Sequence, residues 1–291
     1  MVTVTIATSI DDACAALDSD PGALVMAGGT DLMVEVNRGT RLVGNVVAVD
    51  RVPELRGWSL EGDRSDVLRL GAGTTCADLA EPSLAKLVPA LAQAARTVGS
   101  PQIRNAATLG GNLATASPAG DTLPVLAALD AEVELRSSAG TRRLPLEEFV
   151  VGVKVNALVP GELITAIRVP VLDGPQEFLK VGTRNAMVIA VTSLALVVDR
   201  PGRTVRVALG SVAPVPVRAI EAEVLAAERC DFDGMCVPPD EVVERFAILA
   251  ADAARPIDDH RGSAAYRRHA VSVLARRAIR RAFPGVPSVT A

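Results

Sequence analysis

The sequence has few of the residues that hold metal ions and clusters. Its four cysteines, Cys14, Cys76, Cys230 and Cys236, show no C-x2-C or C-x4-C-x2-C spacing. We therefore predict neither a zinc site nor an iron–sulfur cluster, and we interpret the thiols as buried or incidental side chains. The sequence shows no pairing of a nucleophilic side chain with a histidine of the kind that hydrolases use. We therefore assign no catalytic residue and no metal ligand.

Long apolar runs and an excess of basic charge are also lacking. No segment approaches the roughly 18 apolar residues of a membrane span, and the first residues, MVTVTIATSIDDACAAL, contain no basic leader region. The formal net charge of −4 and the pI near 5.4 argue against a nucleic-acid partner, because phosphate recognition needs a basic surface. We expect a cytoplasmic protein with no membrane span and no nucleic-acid partner.

The 291 residues alternate short apolar runs with helical patterns, which predicts a mixed α and β protein. The segments ALVMAGG, NVVAVD and DVLRLGAGTT are typical of buried strands, and DDACAAL and VPALAQAARTVG are typical of short helices. Gly174 and Pro175 interrupt an alternating strand pattern, so we predict domains at residues 1–174 and 175–291. In the second domain, MVIAVTSLALVV and RTVRVALGSV predict strands, and three later segments predict helices packed on the sheet: VRAIEAEVLAAE, PDEVVERFAILAADAA and SAAYRRHAVSVLARRAIRRAF.

Two glycine-rich segments point to a ligand. LVMAGGTDLM, residues 24–33, places Gly28 and Gly29 directly after an apolar strand, where main-chain N–H groups would face a ligand without an intervening Cβ. TLGGNLATASPAGD, residues 108–121, repeats the glycine pair and adds hydroxyl and amide donors, so it predicts a ligand-holding loop and not a helix or a strand. Neither matches G-x-G-x-x-G or a P-loop. Each alone is as typical of a turn as of a phosphate site, whereas the two together favour a dinucleotide site.

Five segments, in order, carry a resemblance over nearly the whole chain: AGGTDL at 27–32, PQIRNAATLGGNLATASPAGDTLPVLAALDA at 101–131, GELITAIRVP at 161–170, FLKVGTRNAMVIA at 178–190 and AYRRHAVSVLARRAI at 265–279. With them the sequence resembles the FAD-binding medium subunits of the molybdenum hydroxylases, the family of xanthine dehydrogenase and carbon monoxide dehydrogenase. It is most similar to the xanthine dehydrogenase FAD subunit, because the carbon monoxide dehydrogenase pattern would have AGGHSL at the first loop.

The resemblance implies an α+β fold. An FAD-binding domain of the vanillyl-alcohol-oxidase (PCMH) type, made of two α+β subdomains with the cofactor between them, would precede a smaller α/β C-terminal domain. We expect FAD to be bound non-covalently, because His260 and His269 lie far from both glycine segments in the sequence and neither segment contains a cysteine. The cofactor-binding residues implied by matched positions and polar side chains are Ala27, Gly28, Gly29, Thr30, Asp31, Leu32, Thr108, Leu109, Gly110, Gly111, Asn112, Thr115, Asp121, Ile164 and Lys180.

Three of these residues keep an alternative interpretation. The resemblance implies that Asp121 bonds the sugar or adenine part of FAD, that Ile164 contacts the adenine and that Lys180 approaches the polar edge of the flavin ring. Without the resemblance, Asp121 would be the N-cap of the following helix, Ile164 a core strand residue and Lys180 a surface charge.

Two positions depart from the family pattern. Val188 stands where many members have Asp, so any hydrogen bond of that carboxylate is absent here. Val98 stands where some members place an aromatic residue against the cofactor. We expect its contact to be weaker than aromatic stacking.

The function implied is electron transfer within an oxidoreductase complex. A large molybdopterin-binding subunit would oxidise the substrate, a small subunit with two [2Fe-2S] clusters would relay electrons, and this chain would hand them to NAD, or to oxygen or a quinone. The complex would be of the xanthine dehydrogenase or aromatic-hydroxylase type. The alternatives are the medium subunit of a carbon monoxide dehydrogenase and, in another class, a stand-alone flavin oxidase. A binding protein that had lost its cofactor would be expected to lack the glycine loops.

Overall fold

A computed structural model describes residues 3–42, 44–185 and 187–285. The strands, in chain order, are β1 (Val4–Ile6), β2 (Leu24–Met26), β3 (Val46–Ala48), β4 (Trp58–Glu61), β5 (Val67–Gly71), β6 (Glu132–Ser137), β7 (Gly140–Pro145), β8 (Val150–Gly152), β9 (Val155–Asn156), β10 (Leu163–Pro170), β11 (Gln176–Val181), β12 (Thr192–Asp199), β13 (Thr204–Gly210) and β14 (Val217–Arg218). The helices are α1 (Ile10–Ser19), α2 (Leu32–Asn37), α3 (Cys76–Leu79), α4 (Pro82–Leu87), α5 (Pro89–Thr97), α6 (Pro101–Ala106), α7 (Leu109–Thr115), α8 (Thr122–Ala128), α9 (Leu146–Phe149), α10 (Ile220–Arg229), α11 (Asp240–Ala253) and α12 (Ala264–Ala282), with a 3-10 turn at Pro53–Leu55.

The chain forms two compact units, each assembled from separate segments of the sequence. Unit 1 comprises Met1–Leu79, Gly99–Ser117 and Asp130–Pro170, and unit 2 comprises Ala80–Val98, Pro118–Leu129 and Val171–Ala291. The alternating pattern interrupted at Gly174 and Pro175 becomes β10 and β11, which lie in different sheets. The division of the chain into domains 1–174 and 175–291 stays a prediction.

Unit 1 contains a small parallel sheet and a larger antiparallel one. The first has the order β1-β3-β2, and β3 lies buried at its centre, as expected for an apolar strand paired on both sides. The second has the order β4-β5-β10-β6-β7. Among the residues of its inner strands, Leu68, Leu70, Val133 and Ile167 are fully buried, and β10 is buried along most of its length.

Unit 2 is a four-stranded antiparallel sheet, β11-β12-β13-β14, with helices packed on it. Every residue of β12 except the last is buried, which is the pattern of a strand covered on both faces. The apolar faces of α10, α11 and α12 form one core with β12 and β13, in which Leu196, Val207, Phe246 and Leu274 lie together.

Most of the predicted elements are confirmed, and three predictions need correction. β2, predicted as a buried strand, is only partly buried, with Val25 39% exposed. The strand predicted from MVIAVTSLALVV begins only at Thr192, and the residues before it connect β11 to β12. The loop predicted for 108–121 is wrong over its first half, which forms α7. In the ranges that the structure describes, no helix is both long and apolar enough to cross a membrane.

Candidate functional site

The helix at the second glycine segment depends on hydrogen bonds that its composition does not reveal. Thr108 is the N-cap of α7, and its Oγ1 accepts a hydrogen bond from the N–H of Gly111 at 3.0 Å. The N–H groups of Leu109 and Gly110 donate to carbonyl oxygens of the segment that follows β5, at 2.9 and 2.8 Å. Because these partners come from a distant part of the sequence, they stabilise a helix that its glycines alone disfavour.

Two of the predicted glycines are required by packing inside unit 1. A Cβ atom at Gly28 would lie 1.7 Å from the carbonyl oxygen of Ala106, and one at Gly110 would lie 2.7 Å from the Cβ of Ala72. Both distances are far below van der Waals contact. Packing alone therefore requires glycine at both positions, and the expectation that their main chain faces a ligand stays a prediction.

The two glycine segments meet in unit 1, as a shared site requires. Gly28 packs on Ala106, the last residue of α6, and Ala106 precedes Thr108 by two positions. Asp31 comes directly before α2 without capping it by its side chain, and its Oδ2 accepts a hydrogen bond from Thr115 Oγ1 at 3.3 Å. Ile164 lies buried in β10, which contacts α7, at an irregularity in the pairing with β6.

The remaining predicted residues of unit 1 lie along the same two segments. Ala27 and Thr30 are half-buried in the turn after β2, and Leu32 opens α2. Leu109 is fully buried in the core, so only its main chain is available to a ligand. Asn112 is half-buried on α7.

The first loop keeps main-chain donors available. Within the described part of the chain, the N–H groups of Gly28, Gly29 and Thr30 make no hydrogen bond. Gly29 has φ +68°, a left-handed conformation that glycine adopts without strain. Successive N–H groups in such a turn form a concave donor surface for anions. This loop suits a diphosphate.

Asp121 and Lys180 lie together in unit 2, although 59 residues separate them in the sequence. Lys180 Nζ is 2.5 Å from Asp121 Oδ2, and their side chains are only 9% and 5% exposed. Asp121 precedes α8 but makes no capping hydrogen bond to it. Asp121 is thus the N-cap residue of α8 by position only, and the interpretation of Lys180 as a surface charge is wrong.

The Asp121 carboxyl group is bonded on one oxygen only. Oδ2 also accepts from Thr97 Oγ1 at 3.0 Å, whereas Oδ1 is buried and has no hydrogen-bond partner in the described structure. Burial raises the pKa of this carboxyl, and the neighbouring Lys180 ammonium and Thr97 hydroxyl oppose that effect. A buried acceptor without a partner carries a desolvation cost that a ligand donor would remove.

Thr97 is a residue that the sequence did not indicate. It lies in the last turn of α5, and its hydroxyl is also 2.8 Å from the carbonyl oxygen of Ala94, a common contact for threonine in a helix. No motif marks it, because its relation to Asp121 exists only in the folded chain.

The two residues that depart from the family pattern, Val188 and Val98, both lie in unit 2. Val188 packs against the turn after β11, where a Cβ atom at Gly182 would lie 2.2 Å from Val188 Cγ1. An apolar contact thus occupies the position where many members have a carboxylate. Val98 follows α5 as its C-cap residue.

Among the residues described, no group of three or more His, Cys, Asp or Glu side chains is placed to hold a metal ion.

Comparison with protein families decides what kind of protein this is. A family model described as the FAD binding domain in molybdopterin dehydrogenase matches residues 1–172, more than half of the chain. The chain belongs to this family of molybdopterin dehydrogenase FAD-binding domains. A second model, the CO dehydrogenase flavoprotein C-terminal domain, matches residues 177–282. The resemblance and the order of an FAD-binding domain before a C-terminal domain are confirmed.

Individual relatives of this FAD-binding family are subunits of dehydrogenases. The glyceraldehyde dehydrogenase medium chain of Sulfolobus acidocaldarius is 32% identical over 281 residues, which are 94% of this chain and 95% of that one. The xanthine dehydrogenase FAD-binding subunit of Escherichia coli O157:H7 is 32% identical over 226 residues, 75% and 76% of the two chains. The solved carbon monoxide dehydrogenase from Hydrogenophaga pseudoflava that lacks the Mo-pyranopterin moiety is 28% identical, with a TM-score of 0.87 over 97% of each chain. This chain is a flavoprotein subunit of an oxidoreductase.

The residues of each unit fit FAD. In unit 1, the unpaired N–H groups of Gly28, Gly29 and Thr30 are the donors that a diphosphate accepts from. In unit 2, Asp121 Oδ1 is a buried acceptor, and the hydroxyl and amino groups of a dinucleotide are donors that could satisfy it. Neither feature is explained by hydrogen bonds inside the described protein.

Proposed function

We propose that the chain is the FAD-binding electron-transfer subunit of a cytoplasmic molybdenum hydroxylase complex, of the xanthine dehydrogenase or aromatic-hydroxylase type. Its partners are a large molybdopterin-binding subunit and a small subunit with [2Fe-2S] clusters, and its acceptor is NAD. Bound FAD supplies hydride and single-electron transfer chemistry. The chain's own residues bind the cofactor, orient it and set the charges around it.

The observation that carries this proposal is the row of unpaired N–H groups at Gly28, Gly29 and Thr30. They follow directly on β2, and Gly28 is fixed against α6 by its contact with Ala106. The donor surface is therefore formed before the ligand arrives, which lowers the entropic cost of binding. We propose that these groups take the FAD diphosphate.

A second candidate is the medium subunit of a carbon monoxide dehydrogenase. The match of residues 177–282 to a carbon monoxide dehydrogenase flavoprotein domain and the TM-score of 0.87 favour it. Against it stands the first loop, in which Thr30 and Asp31 replace the His and Ser expected for that branch. The xanthine dehydrogenase or aromatic-hydroxylase type is therefore proposed first.

The test is anaerobic reduction of the FAD-loaded chain, followed by the loss of flavin absorbance. We expect NADH to bleach the isolated chain, whereas a purine, an aldehyde or carbon monoxide should bleach it only after the molybdenum and iron–sulfur subunits are added. The substrate that bleaches the reconstituted complex distinguishes the two branches.

Two results would contradict this assignment. Complete bleaching by an organic substrate with no partner present would identify a stand-alone flavin oxidase. A pure, folded chain that takes up no FAD at all would exclude electron transfer as its function. Bleaching by a quinol in place of NADH would leave the subunit assignment intact. It would identify a quinone, and not NAD, as the acceptor.

A further inference from the structure

We propose that Lys180 and Thr97 are positioning residues: together they hold one oxygen of Asp121, so that the other oxygen is presented to the nucleotide part of the cofactor. This inference rests on the proposed function. It assigns Lys180 a role through Asp121, in place of the direct contact with the flavin ring that the resemblance implies.

The geometry brings three elements to one carboxylate. Lys180 comes from β11, Thr97 from the last turn of α5, and Asp121 from the residue before α8. The lysine and threonine side chains both meet Oδ2, at 2.5 and 3.0 Å. Lys180 Nζ is in addition 3.4 Å from the carbonyl oxygen of Thr97, so the ammonium is directed into this cluster by two acceptors.

Two donors on one oxygen fix the rotation of the carboxylate group. A carboxylate with both oxygens free can turn about its Cβ–Cγ bond, whereas here a turn would break two hydrogen bonds, one of which is also an ion pair. Oδ1 is consequently held in a defined direction, buried and without a partner in the described structure. Such preorganisation of a lone acceptor is expected where a ligand donor completes the network.

Lys180 also favours the form of this buried carboxyl that accepts hydrogen bonds. Burial raises the pKa of Asp121, and the adjacent ammonium opposes that rise without cancelling it. Removal of the ammonium would favour the protonated carboxyl, which donates a hydrogen bond from one of its oxygens. The ion pair thus controls both the direction and the acceptor character of the oxygen offered to the ligand.

The test measures contacts to the nucleotide half of FAD separately from contacts to the flavin half. Binding of FAD is measured by flavin fluorescence, and binding of ADP by displacement of FAD. We expect Asp121→Asn and Lys180→Met each to weaken both ligands by about tenfold or more, the loss of one hydrogen bond to a charged group. The absorption spectrum and reduction potential of the bound flavin should stay as in the wild type.

Matched variants keep the result interpretable. Thr97→Val, which removes the hydroxyl at constant volume, should weaken ADP by roughly threefold, and Thr97→Ser should restore its affinity. Lys86→Met changes an exposed lysine of the same unit and should have no effect. Lys180→Met leaves a buried carboxyl unpaired, which is itself destabilising. The double variant Lys180→Met/Asp121→Asn avoids this effect because it removes both charges.

The double variant decides how Lys180 acts. If Lys180 works through Asp121, the double variant binds ADP no more weakly than Asp121→Asn alone. The inference would be overturned if the losses of ADP affinity in the two single variants added in the double variant. It would also be overturned if Lys180→Met shifted the flavin reduction potential and left ADP affinity unchanged. Either result would indicate that Lys180 contacts the flavin ring. A wild-type chain that binds no FAD would instead overturn the proposed function itself.

Discussion

The side-chain amide of Gln93 hydrogen-bonds the main chain of Phe178 in the way that a neighbouring strand would. Gln93 Oε1 accepts from the Phe178 N–H at 2.7 Å, and its Nε2 donates to the carbonyl oxygen of Gln176 at 3.4 Å. β11 is the edge strand of its sheet. One residue of α5 thus satisfies main-chain groups that an open edge would leave available for pairing with another chain.

We predict that Gln93→Leu lowers the free energy of unfolding by about 2 kcal/mol, because it leaves a buried N–H without an acceptor. Urea unfolding measures the change, and the variant should also form aggregates more readily as β11 becomes accessible. Gln102→Leu, at an exposed position of α6, is the control and should change stability by less than about 0.5 kcal/mol. Equal effects of the two substitutions would contradict the role given to Gln93.

Gly28→Ala should damage the first loop even though it adds a single methyl group. The new Cβ would lie 1.7 Å from the carbonyl oxygen of Ala106, so the two segments must separate. We expect a loss of about 2–3 kcal/mol in unfolding free energy and a lower affinity for FAD, measured by fluorescence titration. Gly44→Ala meets no atom within 4 Å and serves as the control. Normal FAD binding by Gly28→Ala would show that the loop is not at the cofactor.

The sequence predicts the elements better than it predicts the reasons for its glycines. The buried run around Leu196 and the periodic pattern of α12 are determined by burial on one or more faces, so apolar periodicity reveals them. Gly28 and Gly110, in contrast, are glycine because carbonyl or methyl groups from other segments occupy the space of a Cβ. Such contacts leave no local pattern.

The candidate site shows the same limit. The sequence indicates its two glycine segments because donors and glycines are concentrated there, whereas their contact through Asp31 and Thr115 exists only in the fold. The cluster of Thr97, Asp121 and Lys180 joins residues from three elements across more than eighty positions. Family position predicts only Asp121 and Lys180, and it does not predict the hydrogen bond between them.

The stability of unit 1 should depend on pH through Glu162. Arg142 donates to both of its carboxylate oxygens, at 2.6 and 2.8 Å, and the Val159 N–H donates to Oε2 at 3.0 Å. These hydrogen bonds, that of Arg142 first, hold the pKa of Glu162 below its ordinary value of 4.5. The folded state therefore favours the ionised form, and this contribution is complete above that value and is lost as the pH falls through the lower folded-state pKa.

Glu162→Gln should accordingly cost stability at neutral pH and little in acid. We expect a difference from the wild type of about 1–2 kcal/mol near pH 7 that shrinks as the pH falls through the lowered folded-state pKa, measured by urea unfolding from pH 7 into acid. Glu147→Gln, at an exposed position of α9, is the matched control and should show no such trend. A deficit of constant size at every pH would mean that Glu162 contributes by packing and not by charge.

FAD should be released intact when the protein is denatured. Covalent attachment needs a nucleophilic His or Cys at the flavin, and the Cys76 N–H donates to the carbonyl oxygen of Ala107, the residue before the second glycine segment, at 2.9 Å. The Cys76 side chain is buried, with 2% exposure, so it is not accessible to form a bond with a bound flavin. Acid precipitation should therefore leave the yellow colour in the supernatant, and Cys76→Ser should bind the same amount of FAD as the wild type. Colour retained in the pellet by the wild type and lost from the pellet in Cys76→Ser would establish a covalent bond at that thiol.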